Sequence, residues 1–327
     1  MTTVTLQPLI LGNKSFHTNL IQGPLAGISC APFRLLTWRF SKPAFSCTEM
    51  ISCKTIIHQS PSSLERFIRK EPDEGPVCFQ LSGSDLAELA EATKRVTDFG
   101  ADLIDLNCGC PVKKIRSRGA GSSLLTQPSQ LYELICVMKQ NTHVPVSVKI
   151  RVESNSNDVF NHDIAKVVTE AGLDFLIVHG RHWTEHYETP CNYDEIKFFV
   201  DELKIPVIGN GDIACVDSLK KMLATGCAGA MISRAGVGQP WLIQKLMAEL
   251  NNERFQPPTL LEIQSIFLEH VERLINLLGN EKFAILQARK FAKYYGRMLS
   301  NRIEFTTEVN ACDKFDDLKK ICNAYFS

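Results

Sequence analysis

Short apolar runs rich in β-branched residues recur along the first two thirds of the chain, each bounded by Gly, Pro, Asp or Asn. They are Leu20-Ile-Gln-Gly23, Ala44-Phe-Ser-Cys-Thr48, Val77-Cys-Phe-Gln-Leu81, Asp102-Leu-Ile-Asp-Leu106, Val144-Pro-Val-Ser-Val-Lys-Ile150, Phe175-Leu-Ile-Val178, Ile205-Pro-Val-Ile208 and Gly229-Ala-Met-Ile232. Runs of this length between turn formers read as strands. Between them, apolar residues fall at three- and four-residue spacing, which predicts helices over 86–99, 131–139, 162–171, 193–203 and 216–224. Asp85, with Glu88 three residues on, caps the first of these, and Gly100 closes it. Strand and helix alternating eight times within about 240 residues predict an α/β fold, a parallel (β/α)8 TIM barrel. An open doubly wound sheet would carry a Gly-x-Gly-x-x-Gly turn after its first strand, and the turn here is Gly23-Pro-Leu-Ala-Gly27.

After Gly238 the pattern changes. Pro240 starts a helix running to about Leu250, Phe255-Gln-Pro-Pro258 reads as a linker, and residues from Thr259 onward show only helical periodicity. Thr259-Leu-Leu-Glu262 has the form of a capping box, and Gly279-Asn280 punctuates the next boundary. The expected organisation is a catalytic barrel over 1–245 and an all-α bundle of three or four helices over 246–327.

Composition narrows the class only slightly. The 327 residues carry 36 Lys plus Arg and 36 Asp plus Glu, so net charge favours no partner and local distribution must do so instead. Twelve cysteines lie mostly inside apolar runs, without a C-x-x-C pair, which fits buried thiols in a reducing compartment and offers no zinc spacing. Met1 to Leu20 lacks an apolar core, and no run approaches the roughly 18 apolar residues of a membrane span. A cytoplasmic monomer without membrane attachment or metal is the expectation.

In a parallel barrel the functional face is the carboxyl end of the strands. The residues at or just past the ends of the runs are Pro24-Leu25-Ala26, Glu49, Gln80, Asn107 with Cys110, Lys149 with Arg151, His179, Asn210-Gly211-Asp212 and Ser233-Arg234. This set lacks the acid pair of a glycosidase and the carboxylate cluster of a metal site. The two late glycine turns stand where many barrels bind phosphate. Lys149, in an otherwise apolar run, needs an anionic neighbour or a bound group; with His179 it could stabilise an electron-rich heterocycle such as a reduced flavin. Cys110, after Gly109 and before Pro111, is the accessible thiol, either a protonated general acid or a thiolate nucleophile. Cys108 alternates to the other side of its strand and is assigned to packing.

Two basic clusters contain no acid. Lys113, Lys114, Arg116 and Arg118 adjoin Cys110, and Arg289, Lys290, Lys293, Arg297 and Arg302 lie in the tail. Arg289, Lys293 and Arg297 make one helical stripe, with Phe291, Tyr294, Tyr295 and Met298 expected to pack inward. Two such patches beside a catalytic mouth fit a phosphate backbone.

Taken together, these residues resemble the tRNA-dihydrouridine synthases. The resemblance rests on Gly23-Pro-Leu-Ala-Gly27, Cys47-Thr-Glu-Met50, Asn107-Cys-Gly-Cys-Pro111 with Lys114 and Ala120-Gly-Ser-Ser-Leu-Leu125, Val148-Lys-Ile-Arg151, His179-Gly-Arg181, Val207-Ile-Gly-Asn-Gly-Asp212 and Met231-Ile-Ser-Arg234. It implies an FMN barrel, reduced by NADPH, that reduces the C5–C6 bond of uridine in tRNA, with Cys110 as general acid. It further implies isoalloxazine contacts from Pro24, Leu25, Ala26 and Gln80, with Lys149 and His179 near the pyrimidine edge. The phosphate would lie on Asn210, Gly211, Asp212, Ser233 and Arg234. Asn107, which the resemblance sets beside both flavin and substrate, would meet the uracil with Arg151 and Tyr187. Lys113, Lys114, Arg116, Arg289, Lys293 and Arg297 would face tRNA. Ser233 and Gly209 depart from the family's usual glycine and alanine, and the tract 182–186 is idiosyncratic. Two alternatives stand beside this reading: an FMN reductase of a small free pyrimidine or enone, and a catalytically silent tRNA-binding barrel.

Overall fold

The computed structural model describes residues 6–152, 158–186 and 188–327. A short antiparallel hairpin comes first, β1 (Leu9–Leu11) and β2 (Lys14–Phe16). Next come eight parallel strands: β3 (Leu20–Gln22), β4 (Ser46–Ser52), β5 (Val77–Ser82), β6 (Leu103–Cys108), β7 (Val146–Arg151), β8 (Phe175–His179), β9 (Val207–Asn210) and β10 (Gly229–Ile232). They close into a barrel, sealed where Ala230 of β10 pairs with Leu20 of β3. All eight expected strands are present, and the barrel is the expected fold.

The outer wall holds α1 (Ala31–Ser41), α2 (Cys53–His58), α3 (Pro61–Ile68), α4 (Leu86–Asp98), α5 (Lys113–Arg116), α6 (Pro128–Gln140), α7 (Asp158–Glu170), α8 (Tyr193–Glu202) and α9 (Val216–Leu223). Asp85 caps α4 by accepting from the Glu88 amide at 2.9 Å, as its sequence position implies. Outward residues of the strands, among them Phe79, Leu106, Cys108, Val148 and Val178, are fully buried against these helices.

The hairpin has no counterpart in the sequence reading, because two strands of three residues leave too little periodicity. It stoppers the amino-terminal end of the barrel. Leu9, Leu11 and Phe16 are buried with the inward residues Phe45, Phe175, Ile177 and Ile208. The Phe16 and Phe45 rings lie 5.6 Å apart, and burying a phenylalanine of this kind contributes roughly 1.5–3 kcal/mol.

The chain then continues through α10 (Leu242–Leu250), α11 (Leu260–Leu278), α12 (Glu281–Tyr295), α13 (Arg302–Ala311) and α14 (Phe315–Tyr325). Thr259 and Glu262 form the expected capping box, and Gly279 ends α11 in the left-handed region at φ 59°. Phe267 stacks on Tyr295 at 4.9 Å and meets Phe291 and Phe305 edge-on. Phe33 and Leu36 of α1 join this second core, so the tail packs against the barrel's first helix.

The tail also braces the barrel mouth. Gln287 Nε2 donates to the Gly27 carbonyl at 3.3 Å, and Arg297 donates to the Val237 carbonyl. Both carbonyls belong to loops on the carboxyl side of the strands.

Candidate active site

Parallel pairing sets inward-facing polar residues side by side. Gln80 pairs with Asp105, Asp105 with Ser147, Asn107 with Lys149, Arg151 with His179, and His179 with Asn210. Each is followed in its strand by an apolar residue or preceded by one, so the polar side of the alternation faces into the barrel. Below them the interior is apolar; above them it opens.

The opening is a cavity of about 730 Å³ at the carboxyl ends of the strands, within the range that encloses a drug-sized ligand. Pro24, Leu25, Ala26, Gln80, Asn107, Lys149, His179, Asn210, Gly211, Asp212, Ser233 and Arg234 all line it, together with Cys110 and Arg151. Residues from the first strand's turn to the last strand's turn therefore meet in one concave surface.

Cations dominate its floor. Burial pushes the Lys149 ammonium down to about 8, with Asp105 pulling the other way. Among the described residues the Lys149 ammonium makes no hydrogen bond or ion pair within contact distance, and the Asp105 carboxylate acts on it only through space. Burial, followed by the fields of Lys149, Arg151, Arg181 and Arg234, holds His179 neutral. Arg181 Nη1 lies 3.2 Å from His179 Nε2, and because a guanidinium only donates, that nitrogen is the acceptor and Nδ1 carries the proton.

Arg181 organises this side of the cavity, a role its sequence position did not suggest. Its side chain is 1% exposed and donates from Nη2 to Asp212 at 2.5 Å and from Nε to the Thr189 carbonyl at 2.6 Å. Asp212 also accepts from the Cys191 amide at 2.9 Å. Its carboxylate is thus tied to Arg181, and Asp212 sits in the left-handed region at φ 51°. Asn210 links the two late turns, donating from Nδ2 to the Met231 carbonyl at 2.8 Å and to Ser233 Oγ at 3.2 Å. Gly211, at φ 139°, has no room for a side chain, since a Cβ would overlap Cys191 Sγ. The turn after β10 does not lead straight into a helix: Arg234–Gly236 is a single 3-10 turn, and α10 begins at Leu242 instead of Pro240.

Cys108 is fully buried on the outer face of β6, as its alternation implies, whereas Cys110 is half-buried at the cavity. The loop carrying Cys110 is held from below. Asn107 Oδ1 accepts from the Cys110 amide at 3.0 Å and the Gly109 amide at 3.3 Å. Arg151 holds the same loop, Nε donating to the Gly109 carbonyl at 3.0 Å and Nη1 to the His182 carbonyl at 2.9 Å.

The rim is basic but less open than the spacing implies. Lys113 and Lys114 are exposed on α5. Arg116 lays its guanidinium 3.3 Å from the centre of the Trp183 ring, clasping the Cys110 loop to the loop after β8. On the tail, Lys293 is exposed, but Arg289 and Arg297 are half-buried. Arg289 donates to the Cys312 carbonyl at 2.7 Å, and Arg297 donates to the Tyr294 carbonyl at 2.8 Å as well as to Val237. The expected stripe of three outward cations is therefore one lysine between two structural arginines. Phe291 and Tyr295 pack inward as expected; Tyr294 is half-buried, and Met298 is 68% exposed, because α12 ends at Tyr295 and the chain turns. Tyr187 lies outside the described residues.

Sequence reasoning gave no role to Asp105 or Arg181, although each had a signal: a carboxylate inside an apolar strand, and an arginine directly after His179-Gly180. Among the described residues no group of His, Cys, Asp and Glu is placed to hold a metal, and no helix is long and apolar enough to cross a membrane.

A closed (β/α)8 barrel with a cationic, thiol-bearing cavity at its carboxyl face, braced by a helical tail, defines a class of barrel enzymes. Comparison with known proteins is more specific. The dihydrouridine synthase family model matches residues 21–327. The chain is 33% identical to tRNA-dihydrouridine synthase B of Pseudomonas aeruginosa over 318 residues, 97% of this chain and 93% of the relative. It is 32% identical to the probable tRNA-dihydrouridine synthase of Rickettsia bellii over 302 residues, 92% of each. Among solved structures, DHODH in complex with ferulenol from Eimeria tenella superposes with a TM-score of 0.57 at 15% identity, covering 75% of this chain and 83% of that one, a likeness of fold. The chain belongs to the dihydrouridine synthase family and is an oxidoreductase.

Proposed function

We propose that this protein reduces the C5–C6 double bond of uridines in tRNA, with FMN held in the barrel cavity and NADPH as the source of electrons. The observation that carries the reading is the Lys149 ammonium, which lines the same cavity as Cys110 and, among the described residues, makes no hydrogen bond or contact ion pair. The residues fit an anionic flavin. Lys149 supplies the countercharge, Pro24, Leu25 and Ala26 an apolar wall, and Gly211 with Ser233 and Arg234 a turn whose backbone can approach a phosphate. Bound there, FMN would supply the hydride that adds to C6 of the uracil.

The chain's own groups do the rest. Cys110 holds a proton on Sγ and delivers it to C5, leaving a thiolate that water reprotonates between turnovers. Neutral His179 and the Lys149 ammonium would hold the cofactor from this side of the cavity. Asn107 and Arg151 orient the Cys110 loop, beneath which the uracil is received in the cavity. A uridine must leave its stack to reach this depth, a cost of a few kcal/mol that phosphate contacts from Lys113, Lys114 and Lys293 offset. The exposed lysines, the family and the relatives' names support tRNA over a small free substrate.

The test is a Cys110→Ala enzyme assayed on tRNA from cells lacking this protein, with dihydrouridine quantified by mass spectrometry. General-acid removal is expected to cost roughly 10²–10⁴-fold in kcat with tRNA affinity retained. Purified wild-type protein without a flavin absorbance band would overturn the cofactor assignment, and undiminished reduction by Cys110→Ala would overturn the acid.

A further inference from the structure

Beneath Cys110 runs a directed chain of hydrogen bonds that proton delivery from its thiol does not use. Asp105 is fully buried in the barrel interior. Its carboxylate accepts from Ser147 Oγ at 2.7 Å and from Gln80 Nε2 at 2.8 Å. Gln80 Oε1 in turn accepts from Asn107 Nδ2 at 2.9 Å. Asn107 Oδ1 then accepts from the Cys110 and Gly109 amides at 3.0 and 3.3 Å.

The two amides could each face either way in isolation, but the ends of the chain forbid it. A carboxylate only accepts, so Gln80 must turn its NH2 toward Asp105 and its carbonyl toward Asn107. Backbone N–H groups only donate, so Asn107 must turn its carbonyl toward Cys110. Both ends demand the same polarity, and every link is satisfied. Burial lifts the Asp105 carboxyl to about 7, and when it is protonated the backbone end alone still turns the Gln80 NH2 toward it, which leaves Ser147 to take the carboxyl hydrogen. Burying a carboxylate costs several kcal/mol unless it is fully hydrogen-bonded, so its presence here calls for a role.

We propose that Asp105 is the positioning residue for Cys110: as the acceptor at the base of the chain it secures the Gln80 and Asn107 amides in the orientation the loop's N–H groups demand, and thereby the place of the Cys110 loop over the cavity. The catalytic consequence rests on Cys110 being the acid; the structural one does not. The deciding feature is polarity rather than charge. An asparagine at 105 can accept from Gln80 while its NH2 donates to Ser147, whose hydroxyl can turn to accept, so Asp105→Asn preserves the chain. Asp105→Leu removes the acceptor at its base, and Gln80→Met cuts it in the middle.

The readout is the rate at which iodoacetamide alkylates Cys110 in the folded holoenzyme, resolved from the other cysteines by peptide mass spectrometry. Steady-state kcat and KM on tRNA are measured alongside. In Asp105→Leu and Gln80→Met the Asn107 support of the loop loses its anchor while Arg151 and Arg116 still tether it, so the loop loosens without detaching: alkylation rises several-fold and kcat falls at least roughly tenfold while KM holds, the order expected for displacing a reacting group by a fraction of an ångström. Asp105→Asn stays near wild type in both. The double variant Asp105→Leu, Gln80→Met is no worse than either single, because both interrupt one pathway. Should Asp105→Leu not fold, Gln80→Met and Asp105→Asn carry the comparison alone. Unchanged alkylation in Gln80→Met, an Asp105→Asn as reactive as Asp105→Leu, or additive effects in the double variant would each overturn the proposal. Loss of the acid reading is seen separately, as full activity in Cys110→Ala with the alkylation pattern of the positioning variants intact.

Discussion

Replacing Arg181 by methionine is expected to loosen the side of the cavity formed by the loops after β8 and β9. The substitution keeps an unbranched stem that ends near the position of Nε, and among the described residues it removes three donated hydrogen bonds: to Asp212, to the Thr189 carbonyl and to His179 Nε2. Stripping a donor from a buried acceptor costs about 1–3 kcal/mol. Asp212 is 35% exposed and the Thr189 carbonyl belongs to a half-exposed residue, so water recovers part of the loss at both. His179 is 8% exposed, so water recovers least of the loss there. About 1 kcal/mol from each gives ~3 kcal/mol in total. At roughly 2 °C per kcal/mol for a chain of this size, the melting temperature should fall by about 6 °C. Differential scanning fluorimetry measures it, and urea unfolding checks that the m-value is unchanged. A fall smaller than about 1 °C would refute the reasoning, since three ordered bonds to a 1% exposed guanidinium would then contribute nothing net.

Substitutions elsewhere have equally specific outcomes. Gly211→Ala forces a Cβ into Cys191 Sγ at φ 139°, so purified protein should lose stability by ~2 kcal/mol or more and retain little flavin, read as the flavin-to-protein absorbance ratio. Lys149 titrates at about 8, below its unfolded value, so affinity for an anionic ligand should fall as pH rises through 8, and Lys149→Met should flatten that profile in an FMN fluorescence titration. Folding should gain stability from Lys149 as pH rises above 8 toward the ordinary lysine value of 10.5, because there the unfolded chain binds the proton more tightly. Lys293→Glu should weaken tRNA binding, most at low salt, without moving the melting temperature. Arg297→Met should do the reverse in part, lowering the melting temperature because its guanidinium ties Tyr294 and Val237 together; equal melting temperatures for the two variants would contradict the assignment.

Much of the site was legible because a parallel barrel collects strand ends on one face. Of the residues gathered at the ends of the apolar runs, those from Pro24 to Ala26, Gln80 and onward to Arg234 line the cavity. Glu49 is the exception: it accepts from the Gly27 amide at 2.6 Å and so holds the first loop from beside the mouth. What stayed hidden are side-chain pairings across distance. Arg181 reaches Asp212 over 31 residues and Arg297 reaches Val237 over 60, and no periodicity links such partners. The same applies to Arg116, whose spacing beside Lys113 and Lys114 suggests one solvated cluster although its guanidinium lies on Trp183.

The alternation along β6 and β7, Asp105-Leu-Asn-Cys108 and Ser147-Val-Lys-Ile-Arg151, is written in the chain itself. Local sequence determines that polar and apolar residues take opposite sides of each strand, because successive side chains of an extended backbone point opposite ways. It determines as well that the strands run parallel, since helical crossovers join them. Which side faces inward was decided only by closure. Once β10 pairs with β3, helices cover the apolar faces and the polar ones converge on a common axis, where Lys149, Asn107 and Gln80 meet Asp105. Convergence brings these groups close enough, in a setting dry enough, for each to alter its neighbours, and no single strand could have done so.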